Sequence, residues 1–354
     1  MASSRVIGLD IGSSAVRAAA LEFGSGARSG KSAPTLVGFG ELPLPLGAVR
    51  DGEVVQPTIV SQALRQLWSQ HKFESKDVII GVGNQRVLVR DLDLPAMPLA
   101  QLKSSLPFQV GDMLPMSADE ALLDYYPIAE VDGPQGRMLR GMLVAAQRDT
   151  VTSNVLAVEG AGLRPVMVDL NGFALLRALA RGEFAEPTTA FVDVGATITT
   201  VVIAAGGVPR LVRSLPSGGQ HVTAAVAGAL NVALPEAENL KREIGVGLSV
   251  PPDRQPAAEA IGAVVRTLVE SVRNTFVYYQ SNTPGATIDV LVLTGGGAHL
   301  PGLGQYMSSA TRLPATLGNP IATLRQGKSA ARDVSPGRES LLALSIGLAY
   351  GVAA

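Results

Sequence analysis

Two short segments carry the residue types that bind phosphate. Asp10-Ile-Gly-Ser-Ser and Asp193-Val-Gly-Ala-Thr each set a carboxylate at the end of an apolar run and a small-residue turn directly after it. Glycine lets backbone N–H groups approach an anion closely, and small hydroxyls add donors. Gly12, Ser13 and Ser14 fit this role in the first copy; Gly195, Ala196 and Thr197 take the same places in the second. A single such turn is ordinary hairpin chemistry. Its repetition changes the reading, because two Asp residues ending symmetry-related strands face one another across a cleft, where Asp10 and Asp193 can hold a hydrated Mg²⁺ that bridges nucleotide phosphates. Arg17, on the strand after the first turn, lies close enough to reach those phosphates. A third segment places Gly295, Gly296 and Gly297 between a buried strand and a helix, where backbone can pass under a flat base or a phosphate. Glu238 and Lys241 lie on one helical face and read by themselves as a solvated ion pair. His299, alone on a loop near Pro301, reads as a structural or solvent-facing histidine.

The elements that must hold these residues repeat. Residues 6–21 align with 189–204 as strand, Gly turn and strand, and each pair is followed by a third strand at 35–42 or 209–215. Two lobes with a common core, facing across a cleft, are expected. Apolar spacing predicts a helix over 58–71 and a strand over 77–82. Prolines 95, 98, 107 and 115, with Met97, Met113 and Met116, mark 86–164 as an inserted subdomain ending in the strand Arg140-Gly-Met-Leu-Val-Ala-Ala. Residues 1–85, with 165–187 and a C-terminal helix within 340–354, make lobe one. Lobe two takes 188–216 and 285–339, with a helical insert at 217–284.

Composition fits a layered α/β chain. In 354 residues, 47% are hydrophobic and 17% charged, which excludes general disorder and favours elements buried on both faces. The formal net charge is −1 and no Lys/Arg block occurs, so nucleic acid is not an expected partner. The absence of cysteine removes disulfides, thiolate nucleophiles and Cys-based metal sites, and the scattered His71, His221 and His299 match no metal-ligand spacing. Met-Ala-Ser-Ser-Arg lacks the pattern of a signal peptide, and the apolar stretches 189–205 and 341–354 are interrupted or too short to span a bilayer, so neither export nor direct membrane insertion is expected.

The order Asp-x-Gly-Ser-Ser-x-x-Arg, Asp-Val-Gly-Ala-Thr, Glu-x-x-Lys-Arg, Thr-Gly-Gly-Gly resembles the actin, Hsp70 and FtsA superfamily over the whole chain. Within it the sequence is most similar to the PilM family of the type IV pilus inner-membrane platform, through residues 6–18, Leu123-Asp-Tyr-Tyr, Val168-Asp-Leu-Asn-Gly-Phe, Asp193-Val-Gly-Ala-Thr, Ala237-Glu-Asn-Leu-Lys and Thr294-Gly-Gly-Gly-Ala-His-Leu-Pro. The resemblance implies an α/β actin-like (ribonuclease H-like) two-lobe fold with a nucleotide cleft and an inserted subdomain in the first lobe. It implies ATP and Mg as ligands: Asp10, Gly12, Ser13, Ser14 and Arg17 as first phosphate loop, Asp193, Gly195, Ala196 and Thr197 as second, Glu238 and Lys241 at the ribose, and Arg242 with Gly295, Gly296 and Gly297 around the adenine. Asp169 takes the water-positioning role of ATPase relatives. Two departures stand out. Arg17 replaces a frequent Lys, and Ala196 replaces a Gly and brings a methyl group near the terminal phosphate, so slow or absent hydrolysis is expected. The family's partner is the N-terminal cytoplasmic peptide of a PilN-like membrane protein, held between insert and lobe one; a pilus motor ATPase and further copies of the chain are the other contacts it points to. The implied location is the cytoplasm, at the inner face of the plasma membrane through partners. A small-molecule kinase of the same superfold needs an acceptor loop that Val89-Arg-Asp-Leu-Asp-Leu-Pro, with Asp91 and Asp93, does not supply. An FtsA-like division protein anchors itself with a basic C-terminal helix, whereas no Lys or Arg follows Arg338 here.

Overall fold

The computed structural model describes residues 4–24, 32–133, 136–327 and 334–351. Its first sheet is built on β1 (Ser4–Ile11), with Ile7, Leu9 and Ile11 alternating into the core. β1 pairs antiparallel with β2 (Ala15–Phe23), and β2 with β3 (Thr35–Pro43). On its other edge β1 runs parallel to β6 (Asp77–Val82), which in turn runs parallel to β10 (Arg164–Leu170). A small hairpin, β4 (Val49–Arg50) and β5 (Glu53–Val54), leads into α1 (Pro57–His71), whose buried Val60, Leu64 and Leu67 cover the sheet.

The second sheet repeats this plan. β11 (Thr189–Val194), β12 (Thr199–Ala205) and β13 (Val208–Leu215) form the antiparallel trio, while β14 (Val290–Thr294) and β15 (Ala315–Leu317) add parallel strands on the other side. The order β10-β6-β1-β2-β3 thus matches β15-β14-β11-β12-β13, and the duplication seen in the two hairpins extends through each lobe. Helices α5 (Gly219–Leu230), α6 (Leu234–Ile244), α7 (Gln255–Asn282) and α8 (Leu303–Thr311) surround this sheet. In α7 the residues Ile261, Val265, Leu268, Val272, Phe276 and Tyr279 recur at helical spacing and fill the lobe-two core. The glycine run does not pass straight into α8: a single turn over Gly296–His299 comes first, and Pro301 and Gly302 delay the helix to Leu303.

The insert is a three-stranded antiparallel sheet, ordered β7 (Val87–Pro95), β9 (Gly136–Gln147), β8 (Ala121–Gly133). Helix α2 (Leu99–Val110) covers one face through Leu102, Leu106 and Val110. Two segments sit differently from the sequence division. Helix α3 (Arg148–Gly160) falls within 86–164 but packs on α1, where Ala157 and Val158 join the lobe-one core and Ser61 Oγ donates to the Ala157 carbonyl at 2.7 Å. β16 (Arg325–Gln326), within the span assigned to lobe two, extends the first sheet beside β3.

The lobes are joined by α4 (Asn171–Leu179) and α9 (Ala343–Ala349). Their side chains share one core with Leu21 and Ile79 of the first sheet and Phe191, Val202 and Val292 of the second. The contact is nearly backbone on backbone. A Cβ on Gly347 would lie 1.9 Å from the Ala174 carbonyl oxygen, and one on Gly8 would lie 2.0 Å from that of Ser345. Gly347→Ala is therefore expected to cost about 2 kcal/mol or more in urea unfolding, as overpacking of a close contact does. Gly228→Ala, in α5 with open space around it, should instead gain about 0.5–1 kcal/mol. A loss below about 1 kcal/mol for Gly347→Ala would show that the helix crossing relaxes freely.

Candidate functional site

Both Gly turns close in the same way. The Gly12 N–H donates to the Ala15 carbonyl at 3.0 Å, and the Gly195 N–H to the Ile198 carbonyl at 2.9 Å. The two turns open into one cavity of about 830 Å³ between the lobes. They also meet: Ser13 Oγ and Thr197 Oγ1 lie 2.9 Å apart across the cleft. The glycine run lies against the second turn. Gly295 holds φ at 82°, and a Cβ there would come within 2.4 Å of Asp193 Oδ1; a Cβ on Gly297 would meet Val194 Cγ1 at 2.5 Å. Glycine is required at both places by close approach, and at Gly295 also by the backbone.

The strand register lines up a row of charges on the cleft floor. Asp10 is opposite Arg17, and Arg17 opposite Glu41. Arg17 Nη1 lies 3.6 Å from Asp10 Oδ2 while its Nε donates to Glu41 Oε2 at 3.2 Å; Arg338 Nη2 stands 3.6 Å from the other Glu41 oxygen. Burial raises the Asp10 carboxyl above its ordinary range against the pull of Arg17. Asp193 is pushed up to about 7, chiefly by burial and further by the charge of Asp10, with Arg17 opposing. Two mutually repelling carboxylates around one half-buried guanidinium fit a hydrated divalent cation. Among the described residues no group of three or more His, Cys, Asp or Glu could hold a metal alone, so such an ion would need water and ligand oxygens to complete its shell.

On the lobe-two wall Glu238 is the hub. Its Oε2 accepts from Lys241 Nζ at 2.6 Å and lies 2.5 Å from Thr223 Oγ1, while Oε1 accepts from Arg242 Nε at 2.8 Å. Burial opposes its ionisation, but these bonds prevail and hold its carboxyl below the ordinary range. Lys241 is buried, whereas the Arg242 side chain is 72% exposed. Their helix joins the cleft through α5, whose start is tied to the second turn: the Gly219 N–H donates to the Gly195 carbonyl at 2.9 Å and the Gln220 N–H to that of Ala196 at 2.7 Å.

The structure thus brings together all the expected binding residues, from Asp10 to Arg17, Asp193 to Thr197, Glu238, Lys241, Arg242 and Gly295 to Gly297, along one cavity. It does not bring Asp169 there. That carboxylate, on β10, is paired with Arg177 of α4 and accepts from the Leu170 N–H, outside the cavity lining. Asn171, two residues on, lines the cleft instead, packed over Gly81 and Gly83, with its buried Oδ1 lacking a protein partner. Asn171 was legible only as part of the Val168-Asp-Leu-Asn-Gly segment. Gly218, Gly219 and Thr223 carried no signal beyond an ordinary helix start, and Glu41 and Arg338 none at all. His299 donates to or accepts from Ser340 Oγ at 2.8 Å on the cavity wall, and burial lowers its pKa.

Duplicated sheets, matched turns at a shared cleft and a helix crossing beneath it define an actin-like two-lobe fold. The family model described as type IV pilus assembly protein PilM matches residues 8–351, and the chain belongs to that family. It is similar to the solved PilM–PilN type IV pilus biogenesis complex, at 25% identity over 97% of each chain with a TM-score of 0.82. It shares its fold with the ethanolamine utilization protein EutJ of Carboxydothermus hydrogenoformans, at 16% identity over 99% of this chain and 90% of that one, TM-score 0.57. The cell division protein FtsA of Bacillus subtilis (strain 168) is 21% identical over 76% of this chain and 69% of its own length. No helix among the described residues is long and apolar enough to cross a membrane.

The Asp193 carboxyl gives a pH dependence of known sign. Its folded pKa, about 7, lies above the ordinary unfolded value, so its contribution to stability is fully present below about pH 4 and is lost as pH rises through about 7. Melting temperature without ligand should fall between about pH 5 and pH 8, and Asp193→Asn should remove most of that fall and exceed the wild type at about pH 8. Parallel curves for the two proteins would refute the buried, strained carboxylate.

Proposed function

We propose that the cleft binds ATP with Mg²⁺ and that the nucleotide-held chain serves as a scaffold in type IV pilus assembly, at the inner face of the membrane through its partners. The observation that carries the first part is the pair of turns meeting at Ser13 and Thr197 above the facing Asp10 and Asp193. The Gly12 and Gly195 N–H groups are used within their turns, so residues 13–14 and 196–197 would offer the backbone N–H groups, with the hydroxyls of Ser13, Ser14 and Thr197, to the phosphates from opposite lobes, and Arg17 supplies a half-buried positive charge. Asp10 and Asp193 would hold the hydrated ion, which neutralises phosphate charge and relieves their mutual repulsion. Glu238 keeps acceptor capacity on the cavity wall for a ribose hydroxyl, and Arg242 with the Gly295 turn flanks the base. With Asp169 held by Arg177 away from this cleft, slow or absent hydrolysis is the supported reading.

The solved complex of the relative with PilN supports a partner of the same kind, the N-terminal cytoplasmic peptide of a PilN-like membrane protein. β10 ends the first sheet and leaves Val166, Met167 and Val168 exposed; beside it stand Asp124 and Tyr126 of β8, Tyr126 packing on Phe173 at 4.8 Å. A free edge with apolar side chains suits an extended peptide, which gains backbone pairing and side-chain pockets together.

Mg-ATP at 100 times its dissociation constant should stabilise the protein by about 2.7 kcal/mol. Asp193→Ala should abolish that gain; an unchanged melting shift in the variant would remove the metal assignment, and no shift in the wild type would remove the nucleotide. Separately, titration with a PilN-like peptide of about a dozen residues should saturate. Val168→Asp should weaken it about tenfold or more, through burial of a charge, while leaving the Mg-ATP shift intact. Peptide affinity unaffected by this change would place the partner elsewhere.

A further inference from the structure

Lys241 is set to act on the second turn from behind rather than on a ligand. Its residue surface is 8% exposed, and its ammonium faces an acceptor in each of three directions: the Gly219 carbonyl at 3.2 Å, Thr223 Oγ1 at 3.0 Å and Glu238 Oε2 at 2.6 Å. An ammonium has three hydrogens, so these partners use all of them. Gly219 is the residue that carries the force onward. Its N–H and that of Gln220 hold the carbonyls of Gly195 and Ala196, the turn that contains the second set of phosphate donors. The fit permits no side chain, since a Cβ on Gly218 would lie 2.5 Å from the Gly195 oxygen and 2.7 Å from that of Ala196.

From this geometry we infer that Lys241 is a positioning residue for the second phosphate turn, and not a contact to the nucleotide sugar. It clamps the first turn of α5 to α6, and α5 fixes the orientation of residues 195–197. Glu238 remains the sugar-facing group of the pair, because a carboxylate that accepts three bonds still has lone-pair capacity on its cavity side. The inference rests on the nucleotide reading of the cleft and refines it. The two uses of Lys241 predict different ligand dependence. A sugar contact supports every adenine nucleotide equally, whereas a clamp on the phosphate turn supports ATP, whose terminal phosphates reach it, far more than AMP.

The test is displacement of a fluorescent adenine nucleotide from the full chain by ATP and by AMP. Lys241→Met should lower ATP affinity about tenfold or more, the effect of one charged hydrogen bond, and AMP affinity less than about threefold. Thr223→Val removes one member of the clamp while keeping both charges, and should shift the ATP to AMP ratio in the same direction by a smaller factor. It decides the matter if Lys241→Met fails to fold, as judged by circular dichroism. An unchanged ATP to AMP ratio in the folded variants overturns the positioning role, whether both affinities fall together or neither falls. Failure of the wild type to bind the fluorescent nucleotide at all would instead remove the reading on which the inference rests.

Discussion

Everything in the cleft depends on how closely α4 and α9 cross beneath it. Where Gly347 faces the Ala174 carbonyl there is no room for a methyl group, and Gly8 of β1 meets α9 with the same tightness. This contact sets the separation of the two sheets, because α4 also packs on the lobe-two strands through Gly172, whose Cβ would strike Val212 at 2.5 Å. With the sheets fixed at that distance, the ends of β1 and β11 face each other and their turns touch at Ser13 and Thr197. A looser crossing would part the turns before it disturbed either sheet, since each sheet has a core of its own.

The electrostatics follow from the same separation. Asp10 and Asp193 end equivalent strands, so a duplicated fold closed this tightly must bring like charges together. Arg17 answers part of that repulsion, but its guanidinium is shared with Glu41, and Arg338 reaches only Glu41. Burial is the main cause of the raised Asp10 and Asp193 pKa values, and the cluster's excess of carboxylate over guanidinium adds to it, with no special chemistry involved. It is also the charge state that a cation-bearing polyphosphate would relieve.

Local rules made much of this visible in the sequence. Alternating apolar residues and Gly turns revealed both hairpins, and helical spacing revealed α1 and α7, because these signals lie within a few residues of one another. The failures were non-local. Nothing within 148–160 says that its apolar face meets α1 rather than the insert, and nothing within 325–326 says that it pairs with β3. Asp169 is placed at the cleft by the resemblance to ATPase relatives alone, and no local signal tests that placement. Its capture by Arg177, eight residues on and nearly two turns into α4, turns it away and leaves Asn171 in its place. Spacing alone reads Glu238 and Lys241 as a solvated ion pair, and the resemblance puts Lys241 at the ribose; neither reveals its third partner, the Gly219 carbonyl, which comes from another helix.

The groove proposed for the partner and the cleft proposed for the nucleotide are parts of one rigid run. β10 carries Val166, Met167 and Val168 at the free edge, ends at Leu170, and continues without a loop into Asn171 of the cleft and then into α4. The inner face of the insert belongs to the same core: Met142 is buried with Phe173, Leu176 and Val212, and Val87, Val89 and Val144 pack against that group. A displacement of α4 on cleft closure therefore moves the strand edge and the floor of the insert together. Such a linkage transmits information only if a ligand binds the two arrangements with different affinity, and any effect of the nucleotide on the peptide must then equal the effect of the peptide on the nucleotide. Given that difference in affinity, occupancy of the cleft without turnover would be enough to regulate the proposed scaffold.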